Sequence, residues 1–416
     1  MIRWLMSRRK HLHWVLADQI LVSGSNFAIG ILYARSLGPA SFGTYALIAV
    51  AQLYLVGVSV SLVGNPMITA APHVENTDDR QHLIESSLAA QLLVSTGLAL
   101  VAAAGMSVYL FTGVTGVSWL AAVGLAASSF GLSLLEWFRR LCFLHRDGPS
   151  LFRFDALVYP PVVIAAFALT RIGWFTVDMA VLLWGISSVA ACSYAAYCLR
   201  IPRRLGGASV FLLRHWRASR DFVVSFQAQW LGSQGLIYVA APLLGNAGVG
   251  ALRSIAGLLG FTNALGTTAD NILPLKFAQA YASGGRSALK AYALSFSVKI
   301  VGSLLILIVF LFVFSDQIVL VLLGPSYLDY SHLLGIQGIS VLLMFVNRLA
   351  MYYQRAVLNT RSVAIASFLN GAFTIAFVYP ITRWIGVAGP IWTVIAGAMV
   401  TSTYLLFEWQ YKSTKP

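Results

Sequence analysis

Runs of about 20 residues with few or no charges recur along the whole chain, and each is long enough to cross a hydrocarbon core as a helix. This constrains the fold more than any other feature, because backbone amides in lipid must find their partners inside the protein. Only helices and closed barrels meet that demand. A barrel would show alternating segments of about 10 residues, and these runs do not alternate. The chain is also too poor in charge to be a soluble globule: 10% of its residues are charged and 58% are hydrophobic, against about 25% charged in soluble domains. Mean hydropathy is +0.78. The expected fold class is therefore an all-α polytopic membrane protein. Its twelve predicted spans are 15–36, 42–70, 86–111, 117–144, 154–170, 177–199, 221–244, 251–277, 292–314, 333–358, 362–382 and 387–409.

The 28 Lys and Arg exceed the 14 Asp and Glu, for a net charge of +14. In a soluble protein this would suggest nucleic acid. Here most of the charges fall between spans and act as a topology signal instead. With the N-terminus inside, the cytoplasmic segments hold the basic clusters of residues 1–10, 139–153, 200–220 and 276–290. The outward ends hold only Arg35, Arg171, Arg253 and Arg383. The expectation is a multi-pass membrane protein with both termini cytoplasmic. The basic residues 1–10 lead into an apolar stretch without a small-residue cleavage site, which reads as the first span rather than a signal peptide. Cys142, Cys192 and Cys198 all lie in apolar segments and read as packing residues.

The two halves resemble each other. Leu37-Gly38-Pro39-Ala40 parallels Leu244-Gly245-Asn246-Ala247 at a shift of 207. Pro66 parallels Pro274, and Arg140-Leu141 parallels Arg348-Leu349, both at 208. Six spans per half is an even number, so the halves share an orientation as a parallel repeat, a pattern found in transporters. The expected organisation is an N-terminal lobe (1–199), a basic cytoplasmic linker (200–220) and a C-terminal lobe (221–416).

The stretch Ala34-Arg35-Ser36-Leu37-Gly38-Pro39-Ala40-Ser41-Phe42-Gly43-Thr44-Tyr45 resembles the end of helix 1 and start of helix 2 in bacterial polysaccharide exporters. These belong to the multidrug/oligosaccharidyl-lipid/polysaccharide (MOP) superfamily. Asp18-Gln19 with Ser23, and Gly324-Pro325-Ser326-Tyr327, fit the same pattern. The resemblance implies a V-shaped bundle of two six-helix lobes that flips undecaprenyl-pyrophosphate-linked oligosaccharide by alternating access. It also implies that helices 1, 2, 7 and 8 line the cavity.

Ionisable residues inside spans are costly and mark candidate function. Arg140 and Arg348 occupy matching places in helices 4 and 10. Guanidinium suits a diphosphate through bidentate bonds, so one arginine from each lobe is expected to grip the headgroup. Retaining orientation is the competing role. Arg139 leans towards topology, while Glu136 stands one turn before Arg140 and is placed to pair with it. Lys299 in helix 9 and Arg35 at the end of helix 1 are further cationic candidates, with snorkelling and anchoring as their simpler roles. Gln19, Ser23, Asn26 and Gly30 share one face of helix 1; Gln227, Gln234 and Tyr238 form a matching face on helix 7, with Trp230 beside it. These suit sugar hydroxyls and rings, or else hydrogen bonds between helices. Asp270 and Asn271 precede Pro274 in helix 8 and are candidates for a coupling cation or proton. The other reading of Asp270 is a salt bridge to a basic residue. Asp18 reads as structural.

The function expected is that of a lipid-linked oligosaccharide flippase. A drug or cation antiporter of the same superfamily would show an acidic cavity, whereas here acids are sparse and arginines recur in both halves. A membrane-embedded glycan polymerase or acyltransferase would need a large outward loop or clustered His, Asp and Glu within spans. No Walker motif occurs and no metal or other cofactor is expected. The expected partners are the lipid-linked glycan, the phospholipid bilayer and polysaccharide-assembly proteins, with no nucleic acid.

Overall fold

The computed structural model describes the backbone of residues 2–111, 116–199 and 206–413; it describes side chains over 13–111, 116–199 and 206–408, apart from 263, 264, 267, 268, 271 and 360. Every regular element among the described residues is helical. The helices are α1 (Ile2–Ser59), α2 (Asn65–Ala70), α3 (Thr77–Phe111), α4 (Trp119–His145), α5 (Gly148–Arg171), α6 (Val177–Cys198) and α7 (Ala208–Trp230), followed by α8 (Leu236–Leu258), α9 (Phe261–Val313), α10 (Ser315–Leu322), α11 (His332–Ala356), α12 (Thr360–Ile385) and α13 (Gly389–Ser413).

Among the described residues, nine helical stretches are long and apolar enough to cross a membrane. Four of them, of 61, 51, 42 and 48 residues, exceed a single crossing. The chain is a multi-pass membrane protein. All twelve predicted spans fall on helix apart from short junctions, and the four long stretches hold the spans that lack a clear linker between them. Several segments that read as polar loops are themselves helical. Asp78, Asp79 and His82 lie in the first turns of α3, and α10 with a 3₁₀ segment (Pro325–Tyr330) fills most of the expected loop after span 9. Residues 208–220 of the expected linker form the start of α7.

Polar side chains start the helices. Ser118 Oγ accepts from Leu120 N at 3.2 Å to cap α4, Asp147 accepts from Ser150 N at 3.1 Å to cap α5, and Thr176 accepts from Met179 N at 3.3 Å to cap α6. Each satisfies a backbone donor that lipid would leave bare.

The repeat is visible in the backbone. Within α1, Gly38 breaks the helix at φ 71, ψ 171; within α8, Gly245 breaks it at φ 63, ψ 175. Essentially only glycine adopts that combination. The two breaks separate span 1 from span 2 and span 7 from span 8, as a parallel repeat requires.

Two compact units divide the chain. The first comprises Met1–Leu37 and Thr44–Gln227; the second comprises Gly38–Gly43 and Ala228–Pro416. In the first, α4 packs against α3, α5 and α6 over a core that includes Trp137, Phe138, Leu151 and Phe154. In the second, α11 packs against α9 and α13, with Leu273, Phe277, Leu289 and Tyr352 in its core. The segment Gly38–Gly43 belongs to the second unit by close backbone packing. A Cβ on Gly43 would overlap the Asn246 carbonyl, and one on Gly250 would overlap the Pro39 carbonyl. This contact is reciprocal at the repeat shift.

Candidate functional site

The helices at the centre of each unit, α4 and α11, carry the paired arginines. Arg140 projects from α4 onto the π-helical turn Val60–Gly64, where a Cβ on Gly64 would stand 2.8 Å from Arg140 Cδ. Its Nη1 donates to Glu136 Oε2 at 2.8 Å and its Nη2 to Asn65 Oδ1 at 3.4 Å. The expected pairing with Glu136 one turn earlier is therefore present. π-Helical turns are rare and concentrate at functional sites. This one precedes Pro66, whose ring denies the carbonyl of Leu62 its helical donor. Ser219 Oγ, fully buried, donates to that carbonyl instead at 2.8 Å.

In the second unit, Arg348 lies across Gly266, where a Cβ would overlap its guanidinium, and 5.8 Å from the centre of the Phe345 ring. Its Nη1 is 3.1 Å from Asp270 Oδ2. Tyr352 Oη donates to Asp270 Oδ1. Of the two readings of Asp270, the structure contains the salt bridge. The carboxylate is still 46% exposed, so it also remains open to solvent. Asn271, its candidate companion, lies outside the described side chains.

Arg139 is more than a topology marker. Its guanidinium meets three carboxylates: Glu136 Oε1 at 3.1 Å, Asp155 Oδ2 at 3.4 Å and Asp18 Oδ2 at 3.8 Å. Asp155 is fully buried and Asp18 nearly so. Asp155 carried little signal in the sequence, because it is the second residue of the predicted span 154–170, where an acid reads as an interfacial end.

The polar faces fare differently. On helix 1, Gln19 Nε2 donates to Ser23 Oγ at 2.9 Å, as their spacing predicts, and Asn26 is exposed further along. On helix 7, Gln227 belongs to the first unit and donates to Tyr54 Oη at 2.6 Å; Gln234 belongs to the second and accepts from Arg253 Nη1 at 2.9 Å. Gln234 lies within a π-helical turn, Leu231–Gly235. Trp230 and Tyr238 flank that turn with ring centres 6.0 Å apart, and Tyr238 is exposed. Arg35 and Lys299 are both exposed. Among the described residues, no group of three or more His, Cys, Asp or Glu is placed to hold a metal ion.

No family model matches the chain, and no curated protein matches it by sequence. Solved structures do match. The lipid II flippase MurJ in an inward closed conformation superposes with a TM-score of 0.72 at 12% identity, over 96% of this chain and 87% of that one. An inward-facing multidrug resistance MATE family transporter of the MOP superfamily gives 0.70 at 14% identity, over 96% of both chains. The chain has the MOP transporter fold. A MOP superfamily transporter from Pyrococcus furiosus, described as having a binding pocket of reverse polarity, gives 0.54 at 14% identity over 95% of this chain and 93% of that one. At these identities the likeness concerns the fold, which the multidrug and lipid-linked transporters share.

Proposed function

We propose that the protein is a transporter that flips an undecaprenyl-pyrophosphate-linked oligosaccharide across the bacterial inner membrane by alternating access, with both termini cytoplasmic. The observation that carries this reading is the matched pair of arginines, Arg140 and Arg348, on the central helix of each unit. Each rests on a glycine of a neighbouring helix, and each is oriented by a carboxylate or amide. A guanidinium held in one rotamer is suited to bidentate recognition of a diphosphate. The exposed amide, hydroxyl and aromatic groups of Gln19, Asn26 and Tyr238 suit a glycan. A lipid II flippase has this fold, so the fold accommodates a lipid-linked cargo; polysaccharide-assembly proteins are the partners that such a cargo implies.

The exposed carboxylate of Asp270 is the feature most favourable to a drug or cation antiporter. Arg348 already neutralises it, so an organic cation would have to displace a guanidinium. As a partner of Arg348, Asp270 fits a role in release and coupling better.

The deciding experiment uses the purified chain in phospholipid vesicles. Movement of a fluorescent lipid-pyrophosphate sugar between leaflets is expected, with no accumulation of an organic cation dye. Dye accumulation without movement of the lipid-linked sugar would overturn the reading.

A further inference from the structure

The first half of α7 buries one face in the first unit and leaves the other both apolar and cationic. Phe211, His215 and Ser219, four residues apart, form the inner face. Phe211 belongs to the core around Trp137 and Leu151, the His215 ring lies 4.5 Å from it, and Ser219 Oγ donates to the Leu62 carbonyl at 2.8 Å. The outer face carries Leu213 at 78% exposure and Trp216 at 55%, together with exposed Arg214 and Arg217. Arg220, one turn further on, is bonded to Asp221 at 3.1 Å. Among the described residues, neither Arg214 nor Arg217 forms an ion pair; Glu75, Asp79 and Glu85 line a cleft that Arg214 borders, but none pairs with it.

The depth of this face follows from the segment it packs on. Tyr54 meets Gln227, Gly57 meets the Phe226 ring and Leu62 meets Ser219, so α7 runs antiparallel to the predicted span 42–70. Ser219 to Phe211 and Leu62 to Ala70 are both eight residues, which brings Phe211 beside Ala70, and the two line one cleft. Ala70 closes the predicted span. Leu213, Arg214, Trp216 and Arg217 therefore stand beside its last two turns, where hydrocarbon gives way to headgroups. Tryptophan and arginine suit that zone, the indole lying among headgroups and the guanidinium bonding phosphate.

We infer that Arg214 and Arg217, with Leu213 and Trp216, form a binding site on α7 for an anionic phospholipid. The two arginines are three residues apart and so are neighbours on the helix surface, both able to reach one phosphodiester. Leu213 and Trp216 meet the start of the acyl chains. Phosphatidylglycerol, whose single charge is negative, matches two unpaired guanidiniums; a choline or ethanolamine headgroup brings a cation of its own, which they repel. A second copy of the chain does not fit, because a two-fold contact through this face would set arginine against arginine. Under the proposed topology the lipid belongs to the cytoplasmic leaflet. The site itself stands on the first unit alone and holds whatever the cargo is.

The test is native mass spectrometry of the purified full chain in detergent, titrated with phosphatidylglycerol or with phosphatidylcholine. The wild type is expected to take up its first phosphatidylglycerol several-fold more tightly than its first phosphatidylcholine. Arg214→Gln combined with Arg217→Gln should weaken that first phosphatidylglycerol by at least about fivefold, the share of a single arginine near a membrane surface, and leave phosphatidylcholine unchanged. Arg153→Gln combined with Arg361→Gln removes the same charge at exposed positions elsewhere and should leave the preference intact. Where the paired replacement at 214 and 217 does not fold, each single replacement gives the same reading at smaller amplitude. A preference that survives the loss of both arginines, or one weakened equally by the changes at 153 and 361, would overturn the inference. So would a wild type that does not prefer phosphatidylglycerol, which would leave this face to an acidic protein instead. No cargo is present, so the outcome is independent of the proposed substrate.

Discussion

Arg348 sits 3.1 Å from the carboxylate of Asp270, and so the intramembrane acid that stands out most in the second half is already matched by the arginine that a diphosphate would need. Under the proposed function, a diphosphate and the acid would compete for one guanidinium. Asp270→Asn should therefore leave folded protein in the membrane and bind inorganic pyrophosphate several-fold more tightly, while slowing turnover through slower release. Ligand binding and vesicle transport at matched protein levels check both halves. Weaker pyrophosphate binding by Asp270→Asn would remove the competition.

Arg140→Ala and Arg348→Ala should each reduce transport of the lipid-linked sugar at least tenfold. Lys at either position should recover it only in part, since an ammonium lacks the planar fork. Both side chains are partly solvent-accessible, so the stability change should stay within about 1 kcal/mol and insertion should survive. Full transport by both Ala variants would leave the arginines as topology residues.

Ser219 stands in for the donor that Pro66 lacks. Ser219→Ala should destabilise the protein by about 1–3 kcal/mol, the cost of a buried unpaired carbonyl at Leu62. In a Pro66→Ala background the same change should cost less, because residue 66 can then bond Leu62 itself. Thermal unfolding in detergent across this double-mutant cycle measures the coupling. Additive effects would show that the two devices are independent.

Gly38 and Gly245 share a conformation that side chains avoid. Gly38→Ala and Gly245→Ala should each lower stability by about 1–3 kcal/mol through backbone strain, although neither meets an obstructing neighbour. Equal thermal stability for wild type and both variants would mean that the breaks can relax.

The proposed topology rests on the asymmetry of basic residues. A reporter that works only outside the cytoplasm should be silent when fused after Arg204 and active when inserted within residues 326–331. The opposite pattern would invert the orientation of every span.

The spans, the repeat and the matched glycine breaks were legible in the sequence, because each depends on local composition or on a constant shift between the halves. The i, i+4 pairs Gln19–Ser23 and Glu136–Arg140 were legible for the same reason: helical periodicity places them. Tertiary structure alone decided what lies across from a helix. Asp18, Arg139 and Asp155 come together from three helices, Ser219 reaches Leu62 over 157 positions, and Asp270 reaches Arg348 from another helix. The π-helical turn that holds Gln234, Leu231–Gly235, left no mark in the periodicity. Helical periodicity sets which near neighbours along one helix meet, because it follows from bonds along the chain. Which buried charge meets which depends on the packing of helices far apart in sequence, where a single turn of offset exchanges one partner for another.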